Sequence, residues 1–148
     1  LMTIFLEKPE SFENPIIVTG CFVEHQGKLL FMLRQNEKIG SNCWGTPGGT
    51  AEPTDMSLEH TMARELTEET GLVVPKEKIE RIATYYVDHS GMRFEYHKYR
   101  LPLDAYYEPK LDPGEHSEYI WVTPEEALKL PLVLDESFVF TNTRDFCF

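Results

Sequence analysis

The segment that ends at Gly71 constrains this chain more than any other, because it specifies both a helix and a chemistry. Leu58, Met62 and Leu66 recur every four residues and give the segment one apolar face, which is typical of a helix that packs against a core. Glycine commonly stops a helix because it adopts left-handed backbone angles without strain. We predict a helix over residues 57–70 that ends at Gly71.

The polar side of this helix carries three glutamates, Glu65, Glu68 and Glu69. Like charges three or four residues apart on a helix each cost a few tenths of a kcal/mol, so the cluster favours a bound cation. Mg²⁺ prefers oxygen ligands and bridges carboxylates to phosphates. A solvated acidic helix face is the alternative. The Pro-Gly-Gly turn at residues 47–49, where the backbone can approach a ligand, favours the metal site.

The same segment resembles the signature of the Nudix hydrolases. That signature reads Gly, five residues, Glu, seven residues, Arg-Glu, an aliphatic residue, any residue, Glu-Glu, any residue, Gly and an aliphatic residue. Residues 64–72 match it without a gap. Upstream, Gly49 and five residues lead to Asp55, where the family has glutamate, and eight residues instead of seven separate Asp55 from Arg64. This departure concerns the start of the helix and not its acidic end.

The resemblance implies an α+β fold, a Nudix-type α/β/α sandwich with a mixed central sheet, in a single domain over residues 1–148. It implies a site for Mg²⁺ or Mn²⁺ formed by Glu65, Glu68, Glu69 and the carbonyl of Gly49 or its neighbour Gly48. It also implies hydrolysis of a phosphoanhydride bond in a nucleoside diphosphate that is linked to another group.

Further roles follow from matching positions. The resemblance implies that Arg64 supports the box through Asp55, with Glu52 as a second partner or ligand. The alternative for Arg64 is a helix pair with Glu68, worth about 0.3–0.5 kcal/mol. Arg34, at the end of a predicted strand, suits a substrate phosphate, although a surface arginine is an equal alternative.

A general base is expected near the attacking water. Glu65 or Glu68 can serve within the box, and relatives often use a loop carboxylate ahead of a strand that carries tryptophan. Here Glu115 is the first candidate in that loop and Glu118 the second, with solvated surface charge as the alternative. The five histidines show no helical pair at metal-ligand spacing, which argues against a zinc site.

The resemblance predicts a nucleoside triphosphate pyrophosphohydrolase. An ADP-ribose or nucleotide-sugar hydrolase is the first alternative. A Nudix-fold sensor that binds nucleotide without turnover is an alternative of another class, which the irregular start of the box leaves open. Retention of all three helix glutamates argues against the sensor, because a binding module has little need of an unfavourable acidic cluster.

Composition restricts the classes of molecule that the protein is expected to bind. The net charge of −11 argues against binding to duplex nucleic acid or an anionic membrane, which need basic surfaces. The three cysteines are widely spaced, which indicates thiols in a reducing compartment, and we predict a cytoplasmic protein. The expected partner is a small nucleotide-type substrate, and the resemblance also implies that the chain can form a homodimer.

Apolar runs rich in Ile, Val, Leu and Phe predict strands before the box helix, and alternating apolar residues predict strands after it. A Thr-Pro-Glu-Glu run predicts a further helix start. A last helix is predicted near the end of the chain. The predicted strands cover residues 16–23, 29–33, 79–87, 94–103 and 118–122, and the predicted last helix covers residues 132–140.

Overall fold

A computed structural model describes residues 2–35 and 42–133 of the chain. In these ranges it contains eight strands, one long helix, a 3-10 turn at Lys76–Lys78 and one short helix. The strands are β1 (Met2–Phe5), β2 (Ile16–His25), β3 (Lys28–Arg34), β4 (Trp44–Gly45), β5 (Gly48–Thr50), β6 (Glu80–His89), β7 (Met92–Pro102) and β8 (His116–Val122). The helices are α1 (Leu58–Thr70) and α2 (Pro124–Ala127).

The strands form one mixed sheet with the order β1-β6-β7-β2-β3-β4, in which β5 also pairs with β2 and β8 with β3. β2 and β7 run parallel, and the other pairs are antiparallel. β2 pairs with β3 only at the hairpin end, through Glu24 and His25. Farther along, β5 lies against β2 and β4 against β3, so the two central strands separate there. A cleft opens at this separation.

Apolar side chains pack on both faces of the sheet. Met62 and Leu66 of α1, both fully buried, contact one face. The sheet residues on that side are Cys21, Val23, Leu30, Met32, Tyr99 and Leu101, and Ile79, just before β6, packs with them. The other face packs Phe22, Leu29, Phe31 and Val122 against Ala127 of α2. Successive side chains of β2 and β3 therefore point to opposite faces of the sheet. Packing on both faces holds β2, β3 and α1 in fixed relative positions at the cleft.

Helix α1 has the boundaries that the pattern predicts. The Ser57 hydroxyl oxygen accepts a hydrogen bond from the His60 amide at 3.0 Å, which caps the first turn. Gly71 takes the left-handed conformation, with φ of 78°, and its amide donates to the Thr67 carbonyl. In α2, Thr123 and Glu126 form a capping box.

The structure differs from the sequence-based elements in a few places. Gly48 and Gly49 belong to strand β5 instead of a turn, since they pair with Gly20 and Thr19 of β2. β8 begins at His116, two residues before the predicted strand. The predicted helix 132–140 lies mostly outside the described residues, and its first residue instead forms a parallel bridge with Trp44. In the described part of the chain, none of the helices has the length and apolar character needed to cross a membrane.

Candidate active site

The cleft between the separated strands has a volume of about 430 Å³. Strands β2, β3, β5 and β7, helix α1 and the residues that open β8 all contribute side chains or backbone to it. The lining that matters for chemistry is Thr19, Arg34, Gly48, Gly49, Glu52, Glu65, Glu69, Tyr96, Glu115 and His116. A polar wall of this kind suits a charged, hydrated ligand better than an apolar one.

Glu69 is the buried carboxylate of the cleft, with 6% of its surface exposed. One of its oxygens accepts a hydrogen bond of 2.7 Å from the Gly48 amide. Burial raises the pKa of Glu69 well above its usual range, and the nearby carboxylates of Glu65 and Glu115 raise it further. An ionised carboxylate in this position is costly, and a cation bound beside it would remove most of that cost.

Glu65 lies one helical turn before Glu69 and contacts the backbone of β5. A Cβ atom added to Gly49 would lie 2.3 Å from Oε1 of Glu65, so only glycine allows this approach. The Gly49 carbonyl accepts a hydrogen bond of 3.1 Å from the Thr19 hydroxyl and keeps a second lone pair. Burial raises the pKa of Glu65 to about 7, against the opposing effect of Arg64.

Arg64 connects helix α1 to the preceding loop. Its Nε and Nη2 atoms donate to the two oxygens of Asp55 at 3.0 Å each, and Nη2 also donates to the Thr50 carbonyl at 3.2 Å. The Asp55 side chain is only 4% exposed. Its pKa is held well below the usual range, chiefly by the hydrogen bond from Arg64 and then by the Glu52 amide. The contact is a forked ion pair that closes the loop onto the helix.

Glu68 and Glu52 lie at the edge of this network. The Glu68 side chain is 56% exposed, and both of its oxygens are 3.2 Å from Nη1 of Arg64. Glu52 is exposed, with an oxygen 3.7 Å from the same Nη1 atom. The structure therefore brings Gly49, Glu65 and Glu69 together in the cleft and places Glu68 outside its described lining.

Besides the glutamates of helix α1, two further residues predicted from the sequence line the cleft. Arg34, at the end of β3, and Glu115, just before β8, both line it. Glu118 is exposed on β8 and is absent from the described lining. Arg34 lowers the pKa of Glu69 and that of His116 through its charge, so the guanidinium is close enough to act on both. This is a position from which a cation can bind an anionic group in the cleft.

His116 is a cleft residue that sequence reasoning missed. Its side chain is 9% exposed, and Nδ1 lies 3.9 Å from an oxygen of Glu69. Nδ1 has no hydrogen-bond partner among the described residues. Burial, and next the charge of Arg34, lower the pKa of His116 to about 4, so the ring is neutral at neutral pH. Ligand atoms of Glu69, Glu115 and His116 lie within 4.8 Å of one another, close enough to share a metal ion.

A β-bulge explains why the pattern did not reveal His116. Ile120 and Val122 pack on the α2 side of the sheet, so strict alternation would put His116 on that side too. However, the pairing between β3 and β8 shifts by one residue, and Arg34 pairs with His116 instead of Ser117. The extra residue turns His116 toward α1 and the cleft. The sequence signal that could have found it is its position next to Glu115.

Comparisons with known proteins identify the family of the chain. The sequence model of the NUDIX domain family matches residues 14–141. CTP pyrophosphohydrolase of Escherichia coli (strain K12) is 32% identical over 117 residues, which are 79% of this chain and 82% of that protein. The ADPR responsive transcriptional repressor NtrR of Acinetobacter baylyi is 32% identical over 129 residues, 84% of this chain and 51% of the repressor.

The fold is also similar to that of a solved domain. The NUDIX domain of Shewanella oneidensis NrtR, complexed with ADP ribose, has a TM-score of 0.77 at 23% identity, over 96% of this chain and 94% of that chain. The chain therefore belongs to the Nudix family. This confirms the predicted family, its α+β fold with a mixed sheet, and the class of hydrolases that act on phosphorus-containing acid anhydrides.

Proposed function

We propose that this protein is a nucleoside triphosphate pyrophosphohydrolase that uses Mg²⁺ or Mn²⁺. The observation that carries the proposal is the buried Glu69 carboxylate, held by the Gly48 amide at 2.7 Å in a cleft that Arg34 also lines. The similarity to a CTP pyrophosphohydrolase over 82% of that protein's length supports a nucleoside triphosphate as substrate.

The donors in the cleft fit a divalent cation. Glu65, Glu68, Glu69 and the Gly49 carbonyl would hold it, since hard cations take carboxylate and carbonyl oxygens. When bound, the cation supplies positive charge that stabilises the charge developing on the phosphoryl oxygens. Glu68 contacts Arg64 in this structure, so its part in the site requires its carboxylate to leave that exposed contact. Such exposed pairs contribute only about 0.3–0.5 kcal/mol.

The chain's own residues supply proton transfer and positioning. Glu65 can accept a proton from the attacking water, because its carboxylate lies in the cleft against the glycine strand β5. Glu68 and Glu115 are the alternative bases. Arg34 would hold an anionic phosphate in the cleft. Arg64 and Asp55 would keep the glycine strand and the helix carboxylates in register, so that the substrate is presented in one orientation.

An ADP-ribose hydrolase or a nucleotide-binding sensor is the second candidate. The relative in Acinetobacter baylyi is named an ADPR responsive transcriptional repressor, and it matches 84% of this chain. The chain spans about half of that repressor, 51%, so the match concerns only part of it. A single domain over residues 1–148, a cytoplasmic location and a homodimer remain predictions.

The experiment is a mass-spectrometric turnover screen with Mg²⁺ and, separately, with Mn²⁺. The substrates are nucleoside triphosphates, ADP-ribose, nucleotide sugars and dinucleoside polyphosphates. We expect release of a nucleoside monophosphate and pyrophosphate from a triphosphate. Preference for ADP-ribose would support the second candidate. Metal-dependent binding without turnover across the panel would support the sensor and reject the hydrolase.

Glu69→Gln tests the observation that carries the proposal. Glutamine can still accept the Gly48 hydrogen bond, so we expect a folded protein whose rate falls at least about 100-fold. Glu77→Gln is the control, because Glu77 is exposed in the 3-10 turn outside the described lining. Full activity of Glu69→Gln would show that the metal assignment is wrong.

A further inference from the structure

We propose that His116, Glu69 and Glu115 form a metal position with one nitrogen ligand, and that this position makes the cleft prefer Mn²⁺ or a related transition metal over Mg²⁺. The inference rests on the proposed function in one respect, because it concerns the metal of the same cleft. Its ligand set extends beyond the helix carboxylates of α1, since His116 and Glu115 come from the start of β8.

The first argument is the unpartnered nitrogen. The His116 side chain is more than nine-tenths buried, and Nδ1 has no hydrogen-bond partner within the described residues. A buried polar atom without a partner costs about 1–3 kcal/mol, so such an atom in a functional cleft indicates a missing partner. Histidines that only fill space in a core usually bond a carbonyl or carboxylate, as His97 does with Glu95 at 2.8 Å.

The second argument is distance. Nδ1 of His116 lies 3.9 Å from Oε2 of Glu69, which is too far for a hydrogen bond. Bonds from one transition-metal ion to a nitrogen and an oxygen are each about 2.1 Å, so their sum of about 4.2 Å spans this gap. A carboxylate oxygen of Glu115 lies within 4.8 Å of ligand atoms of the other two residues, so a small movement of this exposed side chain would let it supply a third ligand.

The third argument is the charge and hardness of the donors. When bound to a divalent ion, two carboxylates and an imidazole would offer it two negative charges, and the guanidinium of Arg34 lines the same cleft. Mg²⁺ prefers an all-oxygen shell, whereas imidazole nitrogen suits first-row transition metals. A histidine in this position therefore shifts the metal preference without adding charge.

The fold holds the imidazole in place before any ion binds. The backbone amides of Glu115 and His116 both donate to the Asp112 carbonyl at 3.0 Å, which fixes the turn ahead of β8. The bulge at Ser117 then directs His116 toward α1. A ligand pre-positioned in this way loses little conformational entropy when a metal binds.

Pulsed electron paramagnetic resonance on the full chain loaded with Mn²⁺ tests the proposal. A directly bound imidazole produces nitrogen modulation of the echo, and we expect it in the wild type. His116→Gln should abolish the modulation and weaken Mn²⁺ binding at least about tenfold. Mg²⁺ affinity should change far less. His89→Gln is the matched control, because His89 ends strand β6 and lies outside the described lining of the cleft.

Absence of nitrogen modulation in the wild type, or its persistence in His116→Gln, would overturn the proposal. If His116→Gln does not fold, His116→Asn and wild type labelled with ¹⁵N-histidine replace it, since the label changes the modulation without changing the protein. The readout needs no turnover. An active enzyme without a nitrogen signal would reject only this inference, and a nitrogen signal without hydrolysis would reject only the proposed activity.

Discussion

Gly48 and Gly49 are neighbours in β5 but have different surroundings. A substitution at Gly48 should therefore affect mainly stability, and one at Gly49 mainly metal binding. A Cβ atom at Gly49 would meet the carboxylate of Glu65, the movable end of a side chain, at 2.3 Å. A Cβ atom at Gly48 would meet the backbone carbonyl of Thr19 at 2.0 Å, which cannot move without breaking the β2 pairing.

We therefore expect Gly49→Ala to fold with nearly the wild-type free energy of unfolding but to lose divalent-metal affinity by about tenfold, because Glu65 is displaced. Gly48→Ala should instead lose about 1–3 kcal/mol of stability through overpacking. Urea unfolding and Mn²⁺ titration of both variants check the pair. Equal loss of stability in the two variants would contradict this difference.

Asp55 gives a prediction with a defined pH dependence. Its folded pKa lies below the ordinary value of 3.8, chiefly because Arg64 donates to the carboxylate. Ionised Asp55 therefore stabilises the fold above about pH 4, and this contribution shrinks as the pH falls further. We expect Asp55→Asn to cost about 2 kcal/mol at pH 7, because the hydrogen bonds join buried, charged groups.

The difference between wild type and Asp55→Asn should stay constant from pH 7 to pH 5 and decrease below pH 4. Urea unfolding at pH 7, 5, 4 and 3 measures it. Asp104→Asn serves as the control, because Asp104 is exposed and its replacement should leave stability nearly unchanged at every pH. A difference that grows as the pH falls would refute the assignment.

Residue pairs in the site could be predicted to different extents. The expected partner of Arg64 is in contact with it despite the extra residue, because a long arginine side chain adapts to a shift of one position. Arg64 also contacts Glu68, the partner that the alternative interpretation gave it. The ion pair with Asp55 and the helix pair with Glu68 therefore occur together. His116 could not be placed, because its direction depends on a bulge that no periodicity reveals. The roles of these residues remain predictions.

At the scale of elements, helix α1 is attached to the sheet by a polar link beside its apolar face. The hydroxyl of Tyr99, a fully buried residue of β7, donates to Glu59 in the first turn of α1, and Arg81 of β6 donates to the same oxygen at 3.1 Å. This bond lowers the pKa of Glu59, and burial raises that of Tyr99. The link adds to the apolar contacts of Met62 and Leu66 that position α1 on the sheet.

Tyr99→Phe removes this hydrogen bond and keeps the ring. We expect a loss of about 1–2 kcal/mol in the free energy of unfolding, since a charged acceptor loses a buried donor. Metal affinity should fall by less than about threefold, because the apolar face of α1 still packs. Urea unfolding with Mn²⁺ titration measures both. Tyr86→Phe, on the neighbouring strand and outside the described lining, is the control.

Elements with a long apolar pattern or a clear capping motif could be predicted, whereas the shortest strands could not. The period of α1, the apolar runs of β2 and β3 and the alternation of β6 and β7 are long enough to be distinguished from chance. β4 and β5 contain two and three residues, so they show no period of their own. These two strands exist because they pair with β3 and β2, and that pairing is visible only in the folded chain.

At the scale of the whole molecule, the net charge of the protein affects the binding of both metal ions and nucleotides in the cleft. The chain carries 25 acidic and 14 basic residues, for a net charge of −11. Such a field attracts divalent cations and repels a free polyphosphate, which favours binding of the metal before, or together with, the nucleotide. The field is screened by salt, with a Debye length of about 30 Å at 0.01 M and about 8 Å at 0.15 M.

We therefore expect the dissociation constant of Mn²⁺ to rise roughly threefold or more between 0.01 M and 0.15 M choline chloride, a salt whose cation does not compete for the site. Removing two remote, exposed charges with Glu10→Gln and Glu13→Gln should weaken Mn²⁺ binding at low salt and have less effect at high salt. Electron paramagnetic resonance titration of free Mn²⁺ measures each constant. An affinity independent of salt would mean that the cleft residues alone determine metal binding, because their contacts are too short for salt to screen.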